Sequence, residues 1–126
     1  MMMITMWVDG RDHEVSAEQV IPWVCGVNAS LDTVDLGPSI TVDVDPSATD
    51  RPETAYIVEF DGVRRDLAES WVLPWVRGLA TRNGVSEREV FDPDAAGRAQ
   101  RVQALMVGHQ RGWFTYAGFT HKGATS

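Results

Sequence analysis

Asp9-Gly10-Arg11-Asp12-His13-Glu14-Val15-Ser16-Ala17-Glu18-Gln19-Val20-Ile21-Pro22-Trp23-Val24-Cys25-Gly26-Val27 aligns without a gap on Asp61-Gly62-Val63-Arg64-Arg65-Asp66-Leu67-Ala68-Glu69-Ser70-Trp71-Val72-Leu73-Pro74-Trp75-Val76-Arg77-Gly78-Leu79. Seven pairs are identical: Asp9/Asp61, Gly10/Gly62, Val20/Val72, Pro22/Pro74, Trp23/Trp75, Val24/Val76 and Gly26/Gly78. Average residue usage gives about one identity over such a window. The rare residues carry the match, because Pro-Trp-Val followed one residue later by Gly occurs twice, each time at the same distance after an Asp-Gly.

Each copy reads as a hairpin followed by a helix. Ile4-Thr5-Met6-Trp7-Val8 and Ala55-Tyr56-Ile57-Val58-Glu59-Phe60 are rich in β-branched and aromatic residues, and both run into Asp-Gly, which suits the positive φ angles of a two-residue type I′ turn. The return strands are then Arg11 to Val15 and Val63 to Leu67. Ser16-Ala17-Glu18-Gln19 fits a capping box, and Asp66 stands three residues before Glu69 as an N-cap acid. In the second copy Leu67, Trp71, Trp75 and Leu79 recur every four residues along one helical face, with Val20, Val24 and Val27 as a weaker equivalent in the first. Pro22 and Pro74 predict either a kinked helix or a short one that starts at the proline. Gly26 and Gly78 are expected as C-terminal stops, with Asn83-Gly84 a second stop for the later copy.

Between the copies, Asn28 to Thr54 reads as one strand, Ser39-Ile40-Thr41-Val42-Asp43-Val44-Asp45, followed by a polar connection from Pro46 to Glu53. Beyond them, Ser86 to Glu89 offers a short capping-box turn. Asp92 and Pro93 are expected to open a helix with the apolar stripe Ala95, Ala99, Val102, Leu105 and Met106, ended by Gly108. Trp113 to Phe119 reads as a last strand. The expected fold class is α+β: a mainly antiparallel sheet with two or three helices and a duplicated β-hairpin–helix unit over residues 4–27 and 56–79.

With 126 residues, 44% of them hydrophobic, the chain is read as one domain over residues 1–126. No stretch reaches the roughly 20 apolar residues of a membrane span, and Met1 to Trp7 lacks both a basic region and a cleavage site, so the reading is a protein that keeps its N-terminus and acts in the cytoplasm or in a virion. The lone Cys25 excludes an internal disulfide. The net charge of −7 divides sharply: residues 1–62 hold twelve acids and two bases, residues 63–126 six acids and nine bases. Either the two halves neutralise each other on folding, or the asymmetry leaves an acidic patch for a basic partner or two patches through which copies meet.

Catalytic templates find little to hold. There is no Gly-x-Ser-x-Gly elbow and no phosphate loop, and His13, His109 and His121 are scattered, so neither an enzyme nor a zinc site nor any other cofactor is expected. His109, just after Gly108, suits a cap whose charge complements the helix dipole. Asp43 and Asp45, two apart on a strand, point to one face and with Asp32, Asp35 or Asp50 could offer oxygens to a divalent cation, but a solvated strand face is the default. Arg98 and Arg101, three apart on the last helix, could face phosphates, with Arg64, Arg65 and Arg111 beside them. The acidic total opposes nucleic-acid binding. Of five tryptophans, Trp23, Trp75 and Trp113 are expected in the core, while Trp7 and Trp71 are interface candidates together with Asp43, Asp45, Arg98 and Arg101.

Trp7-Val8-Asp9-Gly10-Arg11-Asp12-His13-Glu14-Val15, with Ser16 and a helix after it, resembles the opening of small immunity proteins from bacterial polymorphic toxin systems. The later helix before an aromatic strand is compatible with them, whereas the Pro-Trp-Val repeat is not part of that family's pattern. The resemblance implies an acidic inhibitor that plugs the site of a basic toxin such as a nuclease or deaminase. The leading expectation is instead a non-catalytic protein–protein interaction module, a structural or assembly protein such as a phage head or tail component that binds itself or another protein. A duplicated unit suits repeated contacts, and opposite charge on the two halves suits head-to-tail meeting.

Overall fold

A computed structural model of the chain describes residues 2–47 and 54–121. The connection 48–53, with Asp50, and residues 122–126 lie outside it. The fold is α+β, with antiparallel strands in three small sheets.

Strands β1 (Met3–Val8) and β2 (Arg11–Ser16) form the first hairpin, turning at Asp9 and Gly10 with φ of 51° and 79°. Strands β5 (Thr54–Phe60) and β6 (Val63–Ala68) form its counterpart, turning at Asp61 and Gly62 with φ of 54° and 79°. Both are the type I′ geometry expected of Asp-Gly. A 3-10 turn (Ala17–Gln19) leads into helix α1 (Val20–Val27), and β6 leads directly into α2 (Glu69–Arg82). The doubled unit is therefore present as hairpin plus helix in both copies.

The two prolines are accommodated differently. Pro22 is the third residue of α1, where the missing N–H has no intrahelical partner to lose, and Pro74 is the sixth residue of an α2 that continues through it. Neither expected cap forms at these helix starts: Ser16 makes no side-chain cap bond, and Asp66 stays inside β6 while Ala68 takes the N-cap position. The Asn83-Gly84 stop is as expected, with Asn83 at the C-cap and Gly84 at φ 69°.

Gly26 and Gly78 are not helix stops. Both lie inside their helices, where α1 and α2 cross backbone to backbone. A Cβ on Gly26 would collide with the carbonyl oxygen of Trp75, and one on Gly78 with that of Trp23. The next neighbours match as well, with Leu79 N 2.8 Å from the first position and Val27 N 2.9 Å from the second. Every contact on one side has its equivalent in the other copy, so the crossing has approximate two-fold symmetry. Only a residue without a side chain allows such an approach, which the Cα–H groups make favourable by facing carbonyl oxygens. The repeated Trp-x-x-Gly spacing has its physical reason here: each copy offers one carbonyl and one notch.

Helix α2 is enclosed by α1, helix α3 (Gly97–Gln110) and the sheet of β5 and β6, and its Trp71, Val72, Trp75, Val76 and Leu79 are buried together with Leu67 of β6. Trp75 donates its indole N–H to the Ser30 carbonyl at 2.9 Å and packs its ring on Phe60 and Phe114. In the first copy the buried face is carried by Pro22, Trp23, Cys25 and Gly26, not by the expected Val20, Val24 and Val27, which are only half-buried. Trp113 is half-buried against the core.

Two further elements depart from expectation. Between the copies, β3 (Thr33–Gly37) and β4 (Ile40–Asp43) make a second small hairpin where a single strand was expected. Asp45 falls beyond β4. Helix α3 (Gly97–Gln110) starts later than Asp92, whose carboxylate accepts a bond from its own neighbour Asp94 N at 2.9 Å in a local turn. Ala95 precedes the helix, Met106 is exposed, and Gly108 lies within it, packed under the Phe114 ring. His109 is the basic residue of the last turn of α3, and its Nδ1 accepts the Tyr116 N–H at 3.1 Å. The Ser86–Glu89 capping box forms as expected. Strand β7 (Thr115–His121) pairs with β5 on the side away from β6, giving the order β6-β5-β7.

Candidate functional site

The first hairpin carries the most exposed apolar surface. Along β1, side chains alternate: Ile4, Met6 and Val8 are half-buried, whereas Met3, Thr5 and Trp7 face outward, Trp7 at 70% exposure. Met2, also 70% exposed, precedes the strand. Across the hairpin the outward residues are Asp12 opposite Trp7 and Glu14 opposite Thr5, and Thr5 Oγ1 donates to Glu14 Oε1 at 2.6 Å. The inward side holds Val15 and His13, whose ring packs at 5.8 Å on the buried Trp23. A neutral apolar strand thus sits beside an acidic one, with its inner face fastened to α1.

Trp71 does not share this role. At 8% exposure it belongs to the core, because α2 is covered on several sides, so it presents no anchor. The outward Met3, which joins Trp7, escaped sequence reading, although the period of two through Met3, Thr5 and Trp7 carried the signal.

Asp43 and Asp45 are exposed at an open groove of about 730 Å³, shared with Asp32, Asp66, Arg64 and Arg65. Arg65 pairs with Asp32 at 3.0 Å, and this is the one ion pair among the described residues that joins the acidic half to the basic half. Asp45 Oδ1 accepts bonds from Ser47 Oγ at 2.7 Å and Ser47 N at 3.0 Å, which hold its carboxyl below the usual carboxylate range. Among the described residues no three carboxylate, histidine or cysteine side chains cluster as metal ligands would.

Arg98 and Arg101 are employed inside the fold. Arg101 Nε donates to the buried Tyr56 hydroxyl at 2.8 Å, its guanidinium lies near Glu69, and Arg98 stacks over the Phe119 ring at 5.0 Å. Tyr56 and Phe119 are themselves in ring contact at 5.8 Å. The two arginines clamp β5 and β7 to α3 rather than forming a free basic face. Cys25 is buried, with its Sγ 3.4 Å from the Thr33 carbonyl, and burial with the nearby Asp32 charge pushes its thiol up to about 12. It is an inert core thiol and not a nucleophile.

No helix among the described residues is long and apolar enough to cross a membrane. Compared with known proteins, the chain matches no family model, no curated protein and no solved structure.

Proposed function

We propose that this chain is a protein–protein interaction module with no catalytic role, serving as a structural or assembly protein of the kind that builds a phage head or tail. The observation that carries the reading is the outward row Met3, Thr5 and Trp7 on a hairpin whose opposite face is fixed to α1. A large aromatic side chain ringed by polar residues is the composition of an interface anchor. The doubled unit supports the same reading, since of its two related hairpins one has its outer strand β5 paired with β7 while the other, among the described residues, leaves β1 open to a partner. The expected setting is a virion or the cytoplasm.

A second reading, an acidic immunity or inhibitor protein for a basic toxin or nuclease, is favoured by a separate observation. Asp9, Asp12, Glu14, Glu18, Asp35, Asp43 and Asp45 hold no ion pair among the described residues and remain available to a basic partner.

Native mass in mild salt separates the two. An assembly protein runs as a species of several chains; an inhibitor runs as a monomer or dimer that binds one basic partner, with affinity falling as salt rises. A lone monomer without self-contacts sinks the assembly reading.

A further inference from the structure

We infer that the free edge of β1 is a self-pairing site: two copies of the chain join antiparallel through β1, fusing their hairpins into one four-stranded sheet. The inference deepens the assembly reading and rests on it. Its first support is the internal repeat. In the second copy the matching edge of β5 is filled by β7, an antiparallel strand, whereas among the described residues β1 pairs with β2 alone. The same structural unit is satisfied on one side of the molecule and open on the other.

The second support is how the other strand edges are guarded. Exposed edges are ordinarily blunted by charge, proline, glycine or a bulge. The free edge strand β6 holds Arg64, Arg65 and Asp66, β2 holds Arg11, Asp12 and Glu14, β3 has a bulge before Gly37, β4 has Asp43, and β7 has Gly118 at φ 104° with a register shift opposite it. β1 reads Met-Ile-Thr-Met-Trp-Val, with none of these devices.

Register follows from geometry. Residues flanking a two-residue turn exchange both hydrogen bonds, so Val8, Met6 and Ile4 bond to β2, and the Ala17 N–H to Met2 carbonyl bond at 2.9 Å continues that set. The backbone groups of Met3, Thr5 and Trp7 therefore point to the open edge. A two-fold axis at Thr5 sets Thr5 against Thr5 of the second copy and Met3 against its Trp7, twice. All the outward groups are then paired, by about six backbone hydrogen bonds, and the outer face of one hairpin continues as the outer face of the other. Each Met3 thioether meets an indole, a favourable contact. The acids Asp12 and Glu14 stay on the outermost strands, so the joined strands are the neutral ones.

Two variants and one readout test this. Thr5→Pro removes an N–H that β2 does not use, so the hairpin keeps its bonds while self-pairing is lost. Light scattering coupled to size exclusion should give the wild-type chain a mass at least twice its 13.9 kDa, and Thr5→Pro a lower one at unchanged circular dichroism. Thr5→Cys should form a disulfide-linked dimer on mild oxidation, because opposed residues lie about 5.5 Å apart, while Met3→Cys should not, its own counterpart being four residues along the strand. The buried Cys25 does not confuse the result. A multimer whose mass Thr5→Pro leaves unchanged, failure of Thr5→Cys to cross-link, or cross-linking of Met3→Cys as readily overturns the β1 site and leaves the assembly reading standing. A wild-type monomer at every concentration overturns both, whereas β1 captured only by a foreign strand overturns the self-pairing site alone.

Discussion

Adding one methyl group where α1 crosses α2 is the sharpest test of the packing. In Gly26→Ala the new Cβ meets the Trp75 carbonyl, and in Gly78→Ala it meets that of Trp23. Neither obstacle is a side chain that can turn away, so relief requires the helix axes to separate, and with them the buried Trp23 and Trp75 that flank the crossing. Overpacking of this kind costs about 1–3 kcal/mol, and the upper end applies because backbone meets backbone. Alanine returns about 1 kcal/mol as the better helix former, so each single variant should lose about 2 kcal/mol. Once one methyl has parted the helices the second meets less resistance, and the double variant should fall short of the summed losses by about 1 kcal/mol. Urea titration followed by circular dichroism reads these values, and a loss of about 2 kcal/mol corresponds to a Tm lower by about 8 °C. If either alanine is neutral or stabilising, or if the two losses simply add, the helices do not cross as described.

Other consequences are simpler to check. Tyr56→Phe leaves Arg101 Nε without its 2.8 Å acceptor and should cost about 1–2 kcal/mol in urea with an unchanged slope; an unshifted midpoint would contradict the clamp. Cys25 should resist thiol reagents in the folded protein and react only at the rate of unfolding, so prompt labelling would place it elsewhere. Because its folded thiol is raised to about 12 from 9.0, the unfolded chain ionises first, and the stabilisation present below pH 9 is lost as pH rises toward 12. Tyr116, raised by burial and the neighbouring Tyr56, acts in the same direction, so Cys25→Ala should flatten the alkaline fall without abolishing it. Acrylamide should quench one exposed indole strongly, and Trp7→Phe should remove that component with a stability change within about 0.5 kcal/mol.

The hairpins and helices of the repeat were legible because Asp-Gly has one outstanding use between strand-like runs, and because aromatic residues at a spacing of four mark a helix. Other features were ambiguous for physical reasons. A glycine closing an apolar run suits both a helix stop and a helix crossing, and only the partner helix decides between them. Asp92 followed by Pro93 satisfies the rule for a helix start, yet the same carboxylate closes a local turn on Asp94, and the helix waits for Gly97. Strand β3, with Asp35 and Gly37 inside it, has no clean alternation, and it exists because β4 folds back on it. At the candidate surface, Trp7 was legible from its place beside a turn. Trp71 was not, because its burial depends on how many elements enclose α2, a property of the assembled fold and not of its neighbours in sequence.

The paired glycines bind the fates of two distant positions. Each notch is shaped by the opposite copy's carbonyl, so the room at residue 26 is set by the backbone of Trp75 and the room at residue 78 by that of Trp23. Elsewhere the copies differ in charge, with four acids and one base over residues 4–27 against four acids and three bases over residues 56–79. At the crossing neither copy is free to change alone. A single self-complementary contact, written twice in one chain, keeps the two halves of this molecule alike at the place where they touch.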